Sequence, residues 1–286
     1  MADFKSPTAA RTILQHYGLH PKKRLGQNFL VDRNVLTKIA DASSLSPEQY
    51  VIEIGPGLGS LTRELAERCR GVLAIEVDRS LQPVLEDLTA EHPNVKLLFS
   101  DVLEVDIEAE LRQAFALAGP IDYRVCANIP YNITSPIIFK LLEQCPGMKS
   151  ATLMMQKEVG LRLLAKPGSK DYGRLTLTAA YFARVETVMA VSRNCFYPRP
   201  DVDSIVVRLI PNPDRIRVER EDMLHKFIRA AFQKRRKTIL NISADFFGRD
   251  KEETGRIIES LGLSAQLRPE NLSLHDFARL VDALLS

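Results

Sequence analysis

Short apolar runs alternate with amphipathic stretches over the first half of the chain. The runs that have the length and composition of strands lie at 50–54, 71–77, 95–99, 122–127 and 151–155. Apolar residues at helical spacing predict helices at 60–69, 80–90, 135–144 and 157–166. Strands that alternate with helices in this way indicate a parallel sheet covered on both faces, so an α/β fold is expected here.

The pattern changes in the second half. Two strand-like runs at 184–191 and 203–210 flank a proline-rich loop, which fits an antiparallel pair added at the edge of the sheet. Beyond the Pro-Asn-Pro break at 211–213, the periodicity is helical only, at 221–233, 251–261 and 273–285. We therefore predict an α/β domain over 1–210, including an N-terminal arm, and a small helical domain over 211–286.

Composition excludes several classes of protein. The chain has 286 residues, of which 26% are charged and 45% hydrophobic, and this balance is typical of globular proteins. No run approaches the roughly 18 apolar residues of a membrane span, and the N-terminus has no apolar core of a secretory signal. Four cysteines without a CxxC pair favour reduced thiols and no metal site. These features predict a cytoplasmic protein with no membrane contact.

Charge is distributed unevenly although the net charge is only +3. Residues 4–31 and 223–244 contain basic side chains and no acidic one. The densest basic patches are Lys22, Lys23 and Arg24 in the first segment, and Lys234, Arg235, Arg236 and Lys237 in the second. Such patches on a near-neutral body fit local contact with nucleic acid, although charge alone fits a solvated helix face and a basic arm equally well.

A glycine-rich turn follows the first predicted strand. The sequence EIGPGLG at 53–59 contains Gly55 and Gly57, which allow a sharp turn and close approach of a ligand to the backbone. A dinucleotide fingerprint would require glycine where Ser60 stands, so the turn favours S-adenosylmethionine. Glu76 ends the second strand, where a carboxylate can accept both ribose hydroxyl protons, and Asp101 follows the third strand, where it could receive the adenine amine. Each residue alone could be a turn glycine or a solvated acid.

The tetrapeptide Asn128-Ile129-Pro130-Tyr131 follows the fourth strand. Methylation of an exocyclic adenine amine requires acceptors that localise the nitrogen lone pair, and the Asn128 side-chain oxygen with the Ile129 or Pro130 carbonyl could supply them. Pro130 rigidifies the turn, and Tyr131 offers a flat face for an unstacked base. The donor is a cationic sulfonium, so catalysis needs positioning rather than a strong base. The simpler interpretation is an Asn-capped turn with a packed tyrosine.

Several motifs together resemble the rRNA adenine dimethyltransferases. They are KKRLGQNFL at 22–30, EIGPGLG at 53–59, NIPY at 128–131, QKEV at 156–159, PGSK at 167–170, YGRL at 172–175, FxPxPxVDS at 196–204 and AFQKRRKT at 231–238. The resemblance covers residues 20–285 and is strongest to the housekeeping bacterial branch, which dimethylates N6 of two adjacent adenosines near the 3′ end of small-subunit (16S) rRNA. It implies a Rossmann-like S-adenosylmethionine-dependent methyltransferase sheet and a helical C-terminal domain that contributes to rRNA binding.

The same resemblance implies which residues do the work. The cofactor site would be made by Asn28, Leu30, Gly55, Glu76, Asp101 and Asn128, supported by Gln27, with the arm folded over the methionine end. Tyr131 and Phe196 would hold the flipped adenine between their rings. Ile129 stands where many housekeeping members have leucine, and the first 20 or so residues are an extension that the resemblance does not explain.

Three alternatives remain open from the residues. The large-subunit (23S) branch, linked to macrolide resistance, shares the fold and chemistry, although the GQNFL, YGRL and QKRRKT segments favour the small-subunit branch. A DNA adenine methyltransferase would normally carry a target-recognition insert, which we do not find. A non-catalytic assembly or nucleic-acid-binding factor would not need the glycine turn, Glu76, Asp101 and NIPY. The expected partner is the rRNA of the assembling small subunit, and the expected state is a monomer.

Overall fold

A computed structural model describes residues 7–285 of the chain. It divides into two compact units. The first comprises the described residues up to Gly160 together with Val185–Pro211, and the second comprises Leu161–Arg184 and the described chain from Asn212 onward. The sequence pattern instead placed 161–184 in the first domain. The difference arises because apolar residues of this segment, such as Leu177 and Tyr181, are buried in the core of the helical unit.

The first unit is built around a seven-stranded sheet. The strands of the described chain are β1 (Phe29–Leu30), β2 (Tyr50–Ile54), β3 (Gly71–Glu76), β4 (Val95–Phe99), β5 (Tyr123–Asn128), β6 (Met148–Gln156), β7 (Ala183–Val191), β8 (Phe196–Tyr197) and β9 (Ser204–Pro211). The strand order is β4-β3-β2-β5-β6-β9-β7, and the neighbours from β4 to β6 are parallel. β9 joins antiparallel to β6, so the two runs after residue 183 lie at the edge, as predicted.

Helices precede the first strand and connect many of the later ones. They are α1 (Pro7–His16), α2 (Arg33–Ala42), α3 (Ser60–Ala66), α4 (Gln82–Glu91), α5 (Ile107–Phe115) and α6 (Thr134–Gln144), with α7 (Lys157–Leu163) running into the second unit. Every residue of β3 is buried, as expected for a strand in a parallel sheet covered on both faces. Asp32 and Asp106 begin α2 and α5 by accepting hydrogen bonds from backbone N–H groups of the first turn.

The described part of the N-terminal extension contains α1 (Pro7–His16), which packs within the first unit. Ala10, Ile13 and Leu14 are buried in one cluster with Val84 and Leu85, the latter two on α4. A separate two-stranded sheet pairs β1 with β8, and its register aligns Leu30 with Phe196. The arm that follows α1 is therefore tied to the first unit at both of its ends.

The second unit is helical. Its helices after α7 are α8 (Arg174–Phe182), α9 (Glu221–Gln233), α10 (Ile239–Phe247), α11 (Lys251–Ser260) and α12 (Leu274–Leu285). Phe227 and Phe277 are fully buried in its core, with ring centroids 5.7 Å apart. Thr238 caps α10 by accepting a hydrogen bond from Asn241, so the basic patch at 234–237 occupies the connection between α9 and α10.

Candidate active site

A cleft opens at the carboxyl ends of the central parallel strands. All of its lining residues belong to the first unit. β2 ends at the glycine-rich turn, β3 ends at Glu76 and β5 ends at Asn128. The predicted site residues that line this cleft are Gln27, Asn28, Leu30, Gly55, Gly57, Glu76, Asn128, Pro130 and Tyr131.

The glycine-rich turn brings backbone close to the cleft. Gly55, Gly57 and Gly59 all have positive φ, at 69°, 57° and 78°. A Cβ on Gly57 would lie 3.0 Å from Cδ1 of Phe29, a ring of the arm. The turn then passes directly into α3, for which Gly59 is the N-cap. All three positions favour glycine because of this backbone conformation, and Gly57 also needs it for the close approach of the arm.

Glu76 is fixed by backbone donors on both sides. Its Oε2 accepts a hydrogen bond from the Gly57 N–H at 3.3 Å, and its Oε1 accepts one from the Asp78 N–H at 2.8 Å. Burial raises the pKa of Glu76, and these backbone N–H groups partly offset that rise. The carboxylate is thus held in one orientation at the cleft wall, as an acceptor for a polar ligand group.

Glu53 is a second acid in the cleft wall, which the sequence predicted only as part of the glycine-turn motif. It is 1% exposed, and its Oε2 has no hydrogen-bond partner among the described residues. Burial raises the pKa of Glu53 to about 8; the Thr62 hydroxyl opposes this rise and the charge of Glu76 adds to it. A buried carboxyl that lacks a full set of partners is a group that a bound polar ligand can satisfy.

We expect Glu53→Gln to stabilise the ligand-free protein at pH 8. The unfolded carboxyl ionises near its usual 4.5, whereas the folded one keeps its proton until about pH 8. Stability contributed by the neutral folded carboxyl is therefore lost as pH rises from 4.5 to 8. Glutamine keeps the shape without this loss, so its melting temperature should exceed that of the parent at pH 8 and match it near pH 4.5. The matched control is Glu48→Gln, an exposed acid of the same unit; equal melting temperatures of parent and Glu53→Gln at pH 8 would contradict the prediction.

The NIPY turn presents backbone and amide acceptors to the same cleft. The Asn128 side-chain nitrogen donates to the carbonyl of Asn28 at 3.2 Å, which leaves the side-chain oxygen of Asn128 to accept from a ligand. The Pro130 carbonyl already accepts from the Thr134 hydroxyl at 3.1 Å and from the Ile133 N–H at 3.3 Å. Of the two backbone carbonyls proposed from the sequence, that of Ile129 is therefore the better candidate.

Tyr131 is half-buried, and a buried residue orients it. Its hydroxyl lies 2.6 Å from Oγ of Ser204, the first residue of β9. Burial raises the pKa of Tyr131, so the phenol stays neutral at physiological pH. The sequence predicted Ser204 only as the last residue of the FxPxPxVDS motif at 196–204, without a role of its own.

The arm closes one side of the cleft. The 3₁₀ turn Lys23–Leu25 ends at Gly26, in the left-handed conformation, where a Cβ would lie 3.3 Å from Oδ1 of Asn132. The Asn132 amide donates to the Arg24 carbonyl at 3.4 Å. The arm thus rests on the NIPY turn as well as on the glycine turn.

Two predicted site residues do not line the cleft. Asp101 follows β4, which pairs with β3, so it lies at the same sheet edge as Glu76; its Oδ1 accepts from the Leu103 N–H at 2.9 Å. Phe196 is 3% exposed and packs in the hydrophobic core of the first unit, so its ring is not exposed in the cleft that Tyr131 lines. Its register partner Leu30 does line the cleft, so the Phe196 ring lies beside a wall residue.

A parallel sheet with a glycine turn after one strand, an acid ending the next and an NIPY turn after a third defines an S-adenosylmethionine-dependent methyltransferase of the kind that modifies amino groups. The fit to the donor is chemical: backbone N–H groups, two buried carboxyls and a glycine cradle meet one cleft. Residues 18–284 match the model of the ribosomal RNA adenine dimethylase family. The chain belongs to this family and is therefore an rRNA adenine dimethyltransferase that uses S-adenosylmethionine, as its motifs predicted.

Individual relatives agree with this assignment. The chain is 43% identical over 289 aligned residues to a protein of Bacillus cytotoxicus named ribosomal RNA small subunit methyltransferase A, covering 100% of this chain and 98% of the relative. A dimethyladenosine transferase from Plasmodium falciparum superposes with a TM-score of 0.71 at 30% identity, covering 87% of this chain and 94% of that one. The 23S rRNA methyltransferase ErmE superposes at 0.65 with 28% identity, covering 91% and 100%. Within residues 7–285, none of the helices has the length and apolar character needed to cross a membrane.

Proposed function

We propose that this protein dimethylates N6 of two adjacent adenosines near the 3′ end of small-subunit (16S) rRNA, as a step of small-subunit assembly in the cytoplasm. The observation that carries the choice of subunit is the 43% identity, over the whole chain, to relatives named for the small subunit, against 28% to ErmE. The N-terminal arm, the NIPY turn and the basic connection at 234–237 each have a role in this reaction.

The donor site in this proposal uses two acids at the ends of neighbouring strands, Glu76 and Asp101. Glu76 would accept hydrogen bonds from the ribose hydroxyls, the backbone of Gly55 and Gly57 would border the donor, and Asp101 would receive the adenine amine. Gln27, Asn28 and Leu30 of the arm close the wall over the donor. When bound, S-adenosylmethionine supplies an electrophilic methyl group on a positively charged sulfur.

The acceptor amine is positioned by the NIPY turn. The side-chain oxygen of Asn128 and the carbonyl of Ile129 would accept hydrogen bonds from the two N–H groups of the amine, which would localise the nitrogen lone pair for attack. Pro130 holds the turn rigid and has no N–H to compete. Tyr131 stacks on one face of the flipped adenine, and Phe196 supports the other face from beside Leu30. This arrangement catalyses by positioning and electrostatics, without a general base.

Basic side chains bind the rRNA backbone in this proposal. Lys22, Lys23 and Arg24 form the arm patch, and Lys234, Arg235, Arg236 and Lys237 form the helical-unit patch. In the second patch Lys234 pairs with Asp245, and Arg235 donates to the carbonyl of Tyr172. All four side chains of that patch are exposed. Lys22 is committed to an intramolecular ion pair with Asp78, so it contributes less to RNA binding than its neighbours.

We expect replacement of Arg235, Arg236 and Lys237 by alanine to weaken binding of small subunits and to flatten its salt dependence. Each phosphate that the variant no longer neutralises should reduce the slope of log K against log salt by about 0.7 to 0.9. Filter binding across a salt series measures the slope, and cofactor affinity should be unchanged. The control replaces Lys251 and Arg256, exposed cations on α11 of the same unit. Equal slopes for parent and triple variant would show that this patch is a solvated face.

The small number of exposed large hydrophobic side chains in the described structure supports a monomeric state. The large hydrophobic residues that the described structure exposes are Val77, Leu161, Val202 and Leu285, which are scattered along the chain. One of them, Val77, lines the cleft. Light scattering at several concentrations tests the monomer directly.

The experiment that decides the substrate offers labelled S-adenosylmethionine with unmodified small or large subunits and maps the label by primer extension. Two adjacent stops near the 3′ end of small-subunit rRNA are expected. Label on large subunits alone would assign the chain to the ErmE-like activity. Cofactor binding without transfer to either subunit would instead indicate a binding factor.

A further inference from the structure

Asp78 is a buried acid that the proposed chemistry does not use. It lies two residues after Glu76, and its side chain is only 3% exposed. A carboxylate in such a place must be paired, because burying an unpaired charge is costly. Its partners are Lys22 Nζ at 2.6 Å, Gln27 Nε2 at 2.7 Å and the Ser80 hydroxyl at 2.7 Å.

Two of these partners belong to the arm. Lys22 and Gln27 flank the 3₁₀ turn, and the Lys22 N–H also donates to Gln27 Oε1 at 2.8 Å, which closes a ring of three residues with Asp78. Gln27 is itself a residue of the cleft wall. One carboxylate therefore fastens both ends of the arm turn to the end of β3.

The same residue also holds the proposed ribose-binding acid. The backbone N–H of Asp78 donates to Glu76 Oε1 at 2.8 Å. Burial by itself would raise the pKa of Asp78, but hydrogen bonds from Lys22, Ser80 and Gln27 outweigh it and lower the pKa to about 2. Asp78 is consequently charged at physiological pH, so the ion pair to the arm is fully formed.

We propose that Asp78 is a positioning residue that latches the N-terminal arm over the cleft and orients Glu76, so that arm closure and binding of the methyl donor are coupled. This inference rests on the proposed donor site, in which Glu76 and the arm face the same ligand. It adds a residue that does not itself line the cleft.

The first test uses Asp78→Asn, which keeps the shape and removes the charge. Binding of S-adenosylmethionine, measured by calorimetry, should weaken about tenfold to a hundredfold, the range expected for hydrogen bonds to a charged group. The KM for the donor should rise by more than kcat falls. The matched control is Asp41→Asn, an acid of the same unit that is 63% exposed and pairs with Arg68 at 3.4 Å. Parent affinity in Asp78→Asn would overturn the proposal.

The second test measures the arm directly and needs neither donor nor rRNA. Trypsin cleaves after Lys22, Lys23 and Arg24, and Asp78→Asn should be cut there faster than the parent, about tenfold or more. S-adenosylhomocysteine should protect the parent at lower concentration than the variant. Cleavage at the parent rate would show that Asp78 does not hold the arm. If the parent binds no donor at all, the proposed donor site fails, while the rate of arm cleavage still reports on the latch.

Lys22→Met provides an independent route in case Asp78→Asn folds poorly. It should weaken donor affinity on its own, and it should add little in the Asp78→Asn background, because both changes break the same contact. Full additivity in calorimetry would show that the two side chains act separately, which contradicts the latch.

Discussion

Gly57→Val should abolish binding of S-adenosylmethionine while leaving the chain folded. The backbone of Gly57 has φ of 57°, a left-handed conformation that costs a valine about 1–2 kcal/mol. Its Cβ would also press on the Phe29 ring at 3.0 Å, at the point where the arm meets the glycine turn. Because Gly57 N–H binds Glu76 Oε2, any shift of the turn also disturbs the acid. We expect affinity to fall by more than about a hundredfold, equivalent to about 2.7 kcal/mol.

The control separates backbone strain from damage to the site. Gly119 has φ of 74°, and a Cβ at this position would meet nothing within 4 Å, so Gly119→Val carries the strain without the contact. Calorimetry with S-adenosylmethionine should show parent affinity for Gly119→Val and no measurable heat for Gly57→Val, with both variants retaining the parent far-UV circular dichroism. If Gly57→Val binds S-adenosylmethionine with an affinity within tenfold of that of the parent, the glycine turn only reverses the chain and does not contact the donor.

The central sheet could be predicted from sequence because its strands are apolar along most of their length. The runs at 50–54 and 95–99 match β2 and β4 residue for residue, and turn residues or helices separate the others. A buried parallel strand has no polar face to confuse the pattern. The observed sheet confirms the predicted fold class, and the family match confirms the methyltransferase assignment.

Several helices escaped prediction for an identifiable reason. α1 and α2 precede the segment in which the alternation begins, and α5 and α10 lie in stretches to which the pattern assigned no element. Their signals were capping residues such as Asp32, Asp106 and Thr238 rather than long apolar stripes. α8 was missed because six of its nine residues are buried, so its apolar positions do not form a stripe on one face.

Without the family resemblance, which supplied Gln27, Asn28 and Leu30 of the arm, the cleft could be predicted only as far as residues that follow strands. Gly55, Glu76 and Asn128 stand where parallel strands end, so topology alone places them together. Glu53 carried a readable signal, since an acid inside a buried strand is unusual. Asp78 and Ser204 act through contacts across 51 or more positions of sequence, to Gln27 and Tyr131, and no local pattern reveals such pairs.

If Tyr131 and Phe196 hold the flipped adenine, replacing either ring should reduce methyl transfer without weakening binding of the methyl donor. Flipping a base out of its stack costs a few kcal/mol, and each stacking contact returns about 1–3 kcal/mol. Tyr131→Ala should therefore keep donor affinity and lose most methyl transfer, by about tenfold to a hundredfold. Tyr131→Phe should be mild, since the ring face remains and only the hydrogen bond to Ser204 is lost, worth about 0.5–1.5 kcal/mol.

Phe196 requires a different substitution, because it is 3% exposed in the core. Truncation to alanine would cost about 3–5 kcal/mol of stability and obscure any effect on transfer. Phe196→Leu keeps most of the packing against Leu30 and removes the aromatic face. Single-turnover transfer to unmodified small subunits, with donor binding measured alongside, should show a loss of about tenfold or more for this variant.

Asn128→Ala should affect both donor binding and methyl transfer, because the Asn128 amide contacts the arm and also faces the proposed position of the adenine amine. Loss of the side-chain oxygen removes an acceptor for the adenine amine, and loss of the nitrogen frees the arm at Asn28. Single-turnover transfer should therefore fall by about a hundredfold or more, with a smaller loss of donor affinity. The variants of Tyr131 and Phe196 should keep the parent affinity for the donor. Measuring donor affinity and methyl transfer together therefore distinguishes Asn128 from the two aromatic positions. If Phe196→Leu transfers methyl groups at the parent rate while Tyr131→Ala does not, the adenine is held by one ring, and Phe196 serves to anchor β8 against β1.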